Sequence, residues 1–231
     1  MSNAATSHVR VNRSLLAVVE RRVLVWVAER LPARIHSDHL TALSVVGTAV
    51  ASLSFALARL FPVALLGVAV GLAINWFGDS LDGTVARVRD QQRPRYGYYV
   101  DHVLDLAGTA FLFAGLAASG YMSSIMATLV VASFFLVSAE AYLATHARGV
   151  FKMAFLGIGP TELRILIAAG ALALLATPVI RPMGMAEIRL FDLGGIVAVI
   201  GMVTTFIVTT GHNIRALYIE ETNRSWRDGN S

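Results

Sequence analysis

Four aspartates carry the chemistry. Asp79 and Asp82 stand three residues apart, and Asp101 and Asp105 four apart, so on helices each pair shares one face. Carboxylates crowded in an apolar setting repel one another, and a divalent cation between them removes that repulsion. An all-oxygen ligand set in a chain with no cysteine and no obvious histidine pair points to Mg²⁺, Mn²⁺ or Ca²⁺ rather than zinc. Four carboxylates can hold two such ions, and two ions can clamp a phosphoryl group during displacement. Gly83 and Ala86 continue the Asp79/Asp82 stripe, and Gly97 precedes Asp101 by one turn. Small residues there leave room for a bulky phosphate to approach the backbone, and Arg87 supplies fixed positive charge for a phosphate oxygen. A lone Asp at the end of an apolar helix would simply pair with an arginine such as Arg87, Arg89, Arg93 or Arg95. Four in this pattern, with glycines beside them, point to a site.

The elements that must position these groups are membrane helices. Of 231 residues, 56% are hydrophobic and 15% charged, and the mean hydropathy is +0.65. Soluble domains carry about 25% charged residues, so a disordered chain is excluded and a soluble enzyme disfavoured. Six apolar runs, 39–59, 61–82, 99–119, 122–145, 162–180 and 192–214, each approach the ~20 residues that cross a bilayer. A transmembrane barrel would need ~10-residue alternating segments, and none is present. Antiparallel second and third spans would bring the two carboxylate pairs together. Before the spans, residues 13–34 place Leu16, Val19, Val23 and Trp26 on one stripe with Arg22 and Glu29 opposite, which reads as an amphipathic helix lying in the membrane interface. The expected fold is thus all-α and integral to the membrane. Residues 1–37 form a tail and juxtamembrane helix, 38–215 the six-helix domain and 216–231 a cytoplasmic tail. With both termini cytoplasmic, only Arg59, Arg181 and Arg189 among the basic loop residues fall on the far side, as the positive-inside rule requires. The net charge of +4 is read the same way, against anionic lipid and not nucleic acid.

The 27-residue segment DSLDGTVARVRDQQRPRYGYYVDHVLD resembles the signature of the CDP-alcohol phosphotransferase family, D-x2-D-G-x2-A-R, a spacer, then G-x3-D-x3-D. The matching residues are Asp79, Asp82, Gly83, Ala86, Arg87, Gly97, Asp101 and Asp105. The resemblance implies an enzyme that displaces CMP from a CDP-linked alcohol with the hydroxyl of a second alcohol. It implies two divalent cations, Mg²⁺ or alternatively Mn²⁺. Asp79, Asp82 and Asp101 would hold the first, and Asp79, Asp101 and Asp105 the second. Gly83, Ala86, Arg87 and Gly97 would surround the CDP portion, with Arg93 beside them, and Asp105 would be the general base. It further implies a homodimer whose cavity opens to cytoplasm and lipid. One departure lies before the first span, where the family's Pro-Asn-x-(Leu/Val/Ile)-Thr is Ser37-Asp38-His39-Leu40-Thr41 here. Asp38 and Thr41 are nucleotide-binding candidates, and Asp38 is equally a candidate helix N-cap.

The second substrate is less legible. His102 follows Asp101, as in the choline/ethanolamine branch, and is a second candidate base, although it turns about 100° away from Asp101 on a helix. Gly159-Pro160-Thr161-Glu162 also resembles that branch, so Glu162 is an acceptor-site candidate; Pro160 and Glu162 are equally good helix-start residues. Glu140 is an acid inside the fourth span, a functional candidate by default. Arg148, Lys152 and Arg164 surround the same mouth, where the branch using inositol phosphate or glycerol phosphate binds the acceptor phosphate. The leading expectation is CDP-diacylglycerol with such a small acceptor, in the inner membrane of a bacterium with the site cytoplasmic. The alternatives are CDP-choline/ethanolamine-type transfer to diacylglycerol and, from another class, a cation transporter. A transporter would place acids near the midplane within repeated halves; here they lie toward one face and no repeat is visible.

Overall fold

The computed structural model describes residues 17–148, 160–176, 179–180 and 188–228. The order is α1 (Ala17–Arg30), α2 (Ser37–Ala58), a 3-10 turn (Pro62–Ala64), α3 (Leu65–Val88), α4 (Pro94–Ser119), α5 (Ser124–Arg148), α6 (Pro160–Ala173), β1 (Val179–Ile180), β2 (Ile188–Arg189) and α7 (Leu190–Asp228). The two strands form a short antiparallel pair before α7. Among the described residues, five helices are long and apolar enough to cross a membrane: α2, α3 with its 3-10 turn, α4, α5 and α7. Their outward faces carry residues such as Val46, Leu53, Ile207 and Val208, all exposed, which suits lipid and not water.

The helices begin and end for local reasons. Pro94 opens α4, where a missing N–H costs nothing. Gly120 closes it in the left-handed conformation, φ 79°. Asp90 does the same after α3 at φ 53°. There Gln91 N–H reaches the Ala86 carbonyl and Asp90 N–H the Arg87 carbonyl, closing the last turn in a Schellman motif. The Ser123 hydroxyl accepts from Met126 N–H to cap α5, and Asp192 of α7 accepts from Ser123 N–H at 2.7 Å.

The α2 helix is the hub. It packs along α3 and against α4, while α3 and α4 make few direct contacts. The close α2–α3 approach depends on glycine. A Cβ on Gly71 would stand 2.5 Å from the Ala51 backbone nitrogen, and one on Gly78 2.5 Å from the Leu40 carbonyl oxygen. Backbone therefore meets backbone between α2 and α3, and Asn75 locks the contact by donating to the Ser44 carbonyl and Thr48 hydroxyl. On the other side, Ser52 donates to the Phe111 carbonyl of α4 at 2.6 Å. The main core gathers Phe55, Leu65, Val68, Leu72, Leu116 and Met122.

Two expectations about boundaries change. The apolar run 162–180 yields α6, only 14 residues, or ~21 Å at ~1.5 Å per residue. Its last turn tightens through i→i−3 bonds from Leu175 and Ala176, and the β-branched pair Val179–Ile180 is strand. Asp38 is not the N-cap of α2. The helix starts at Ser37 after an extended His36, which puts Asp38 in the first turn.

The α1 helix packs on α3. Leu24 and Ala28 are buried against Leu40, Leu81 and Val85, whereas Val23 and Trp26 are exposed. The protein-facing stripe is therefore Glu20–Leu24–Ala28, rotated about 100° from the expected Val23/Trp26 stripe. Arg89, the residue after α3, secures the link to α2 by donating to the carbonyls of Leu31, Pro32 and Ile35.

Candidate active site

The chemistry lies where α3 and α4 pass the N-terminal end of α2. Asp79 and Asp82 sit well inside α3, which runs on to Val88, and Asp101 and Asp105 lie two to three turns into α4. Asp82 is 7% exposed. It accepts from the Thr41 hydroxyl at 2.7 Å and from the Gly83 N–H. A carboxylate at such depth persists only with donors of this kind. Gly78 sets the register, because the close approach it permits puts Thr41 beside Asp82. Asp79 and Asp101 are within electrostatic reach of Asp82. Asp79 accepts from Arg164 of α6 at 2.6 Å. The expected sites on α3, α2 and α6 thus meet: Asp79, Asp82, Thr41 and Arg164.

The donor set of carboxylates without sulfur suits a hard divalent cation. Among the described residues, no three His, Asp or Glu groups stand close enough to hold one ion. Arg164 occupies Asp79, while Asp101 and Asp79 both act electrostatically on Asp82. Donor chemistry fits such an ion, and the described arrangement satisfies Asp82 and Asp79 from within the protein.

The remaining motif residues line a second part of the site. Arg87 donates to Thr84 at 3.0 Å, and a Cβ on Gly83 would stand 3.3 Å from its Nη1. Gly97 faces open space. Arg93 forms an ion pair with Asp38 and lies 4.3 Å over the Tyr96 ring. The hydrogen bond to Asp38 holds the Arg93 guanidinium above its ordinary pKa, so it stays charged. A surface groove of about 430 Å³ runs between Asp38, Ala86, Gln91 and Arg93. Three expected nucleotide-binding residues, Asp38, Ala86 and Arg93, therefore share one groove.

His102 faces α5. Its Nδ1 lies 2.6 Å from the Tyr98 carbonyl, and its ring stacks near Tyr98 and edge-on to Tyr142. Asp105 is within electrostatic reach of Tyr142. Glu140 and Arg148 are drawn toward α7. Asn213 donates to Glu140 at 2.6 Å and accepts from Arg148 at 2.5 Å, and Arg148 lies 3.9 Å from Glu220. Glu162 occupies the first turn of α6. Lys152 lies outside the described residues.

Sequence reasoning missed the Glu20 carboxylate of α1, which accepts from Trp76, Ser80 and Thr161. The signal was present: Glu20, Leu24 and Ala28 recur every four residues, so an acid lies on the buried stripe. Asn213 and Tyr142 carried no comparable signal, since each acquires its partner from a distant helix.

A model of the CDP-alcohol phosphatidyltransferase family matches residues 34–209, from the link before α2 into α7. No curated protein matches the chain.

Proposed function

The chain belongs to the CDP-alcohol phosphatidyltransferase family, membrane-embedded transferases of phospholipid synthesis, and from that premise we propose that it joins CDP-diacylglycerol to a small phosphorylated alcohol such as glycerol phosphate or inositol phosphate, releasing CMP. The observation that carries this reading is the buried Asp82, fixed by Thr41, with Asp79 and Asp101 in electrostatic reach. Two divalent cations, Mg²⁺ or Mn²⁺, held by Asp79, Asp82, Asp101 and Asp105, would supply charge neutralisation of the diphosphate and stabilise departing CMP.

The protein's own groups do the rest. Asp38, Thr41, Gly83, Ala86, Arg87, Arg93 and Gly97 hold the nucleotide, with Asp38, Ala86 and Arg93 in the groove beside α3. Asp105 takes the proton of the acceptor hydroxyl. That oxygen forms a bond to the β-phosphorus bearing the diacylglycerol, and the bond from this phosphorus to the CMP oxygen breaks. Arg164, with Glu162 in the first turn of the same helix and with Lys152, orients the acceptor. Its position beside Asp79 is what favours a phosphorylated acceptor. Glu140 and Arg148 act from further off, as a strut between α5 and α7. His102, held by the Tyr98 carbonyl and two aromatic rings, supports α4 against α5 and leaves Asp105 as the base.

In the whole molecule, α6 and the apolar residues after it complete a six-crossing domain over 38–215. The α1 helix lies at the membrane interface with Trp26 outward. The protein is a homodimer in a bacterial inner membrane, with its termini and site cytoplasmic. The test is a panel in which purified protein receives each donor class with several alcohols, and products are identified by mass. CMP with a phosphatidyl product from CDP-diacylglycerol supports the reading. Turnover only with a CDP-amino alcohol and diacylglycerol would move it to the other branch.

A further inference from the structure

Glu20 closes a circuit that includes the acceptor side of the site. Its Oε1 accepts from Trp76 Nε1 at 2.8 Å, from Ser80 Oγ at 3.3 Å and from Thr161 Oγ1 at 3.0 Å. Ser80 adjoins Asp79 on α3, and Thr161 lies one turn before Arg164 on α6. Arg164 in turn donates to Asp79 at 2.6 Å. Two polar links one turn apart thus join α6 to α3, one direct and one through α1. A single link lets a helix swivel; two fix its rotation and height.

The buried residue of α6 is Ala171, near the far end, and Pro160 and Leu163 are exposed. Apolar packing therefore anchors the C-terminal half, while polar bonds set the half that carries Arg164. By contrast, α1 is firmly seated on α3 through Leu24 and Ala28, so Glu20 is a rigid reference.

We propose that Glu20 is a positioning residue for the acceptor site: docked α1 sets the first turn of α6, and so aims Arg164 at the acceptor phosphate. The proposal rests on the reading of the site given above. It makes the juxtamembrane helix part of the enzyme's acceptor specificity.

The test compares wild type, Glu20→Ala and Glu20→Gln in detergent, with CDP-diacylglycerol as donor and glycerol 3-phosphate or inositol phosphate as acceptor. Glu20→Ala should raise the acceptor KM by about tenfold or more, the scale of several lost hydrogen bonds, and leave the donor KM within about twofold. Glu20→Gln keeps an acceptor oxygen and should restore most of the loss. Hydrogen–deuterium exchange supplies a readout that needs no turnover: exchange across 160–168 should rise in Glu20→Ala, stay near wild type in Glu20→Gln, and stay unchanged in α5. Unchanged exchange in Glu20→Ala, or equal rises in both KM values, would overturn the proposal. If exchange rises as expected but wild type turns over no donor–acceptor pair, the positioning role stands and the reading of the site falls.

Discussion

At the scale of single residues, the site depends on charge held at depth. Asp82 is the clearest case, because its Thr41 partner comes from a helix 41 residues earlier. Thr41→Val keeps the shape and removes the donor, leaving a buried carboxylate short of a hydrogen bond at a cost of about 1–3 kcal/mol. We expect thermal stability and turnover to fall in Thr41→Val and to be largely retained in Thr41→Ser. Asp79→Asn, Asp82→Asn, Asp101→Asn and Asp105→Asn should each reduce CMP release by at least about 100-fold while the protein still folds and extracts in detergent. Near-normal rates in any two would contradict a shared cation site. His102→Ala is the contrasting variant. Loss of a general base costs about 10²–10⁴-fold, and His102 packs against Tyr142, so its loss should cost less than about tenfold. A near-dead His102→Ala enzyme with native CDP affinity would transfer the base role to it.

At the scale of helices, the decisive feature is how closely α2 approaches α3. Gly71→Ala and Gly78→Ala each push a methyl into backbone of the neighbouring helix. Overpacking of this kind costs about 1–3 kcal/mol, and both variants should melt earlier in detergent. Gly97→Ala meets nothing within 4 Å and should melt like wild type, yet lose activity if the nucleotide passes over it. Such contrasts mark what was legible beforehand. Runs of apolar residues are local, so α2, α3, α4, α5 and α7 were readable to within several residues except at the C-terminus of α7. The motif spacing placed the four aspartates on shared faces. The close approach of α2 and α3 was not readable, because Gly47, Gly71 and Gly78 acquire meaning only once two helices are side by side. The length of α6 was also hidden, since hydropathy alone does not separate a helix from the turn and strand that follow Ala173. Glu20 was missed, although its four-residue spacing from Leu24 and Ala28 was the informative feature.

At the scale of the whole molecule, lipid-facing helices enclose a polar site near one end of the bundle, where a CDP-linked alcohol and a second alcohol can meet. The α7 helix is 39 residues, about 58 Å at ~1.5 Å per residue, so it projects well beyond a ~30 Å hydrocarbon layer. Its tie to α5 through Asn213 should keep the mouth of the site in shape, and Asn213→Leu should lower thermal stability by about 1–3 kcal/mol, since Glu140 and Arg148 each lose a partner. The proposed cation requirement is also global. Exhaustive chelation should abolish turnover, Mg²⁺ or Mn²⁺ should restore it, and Ca²⁺ should support it poorly because of its longer, looser coordination. The most direct measurement is CMP release by the purified protein from CDP-diacylglycerol and glycerol 3-phosphate or inositol phosphate, with the lipid product weighed by mass spectrometry, before and after chelation. CMP and a phosphatidyl product in equal amounts, lost on chelation and regained with Mg²⁺, is the predicted result. No CMP from any CDP-alcohol, or undiminished release after chelation, would contradict it.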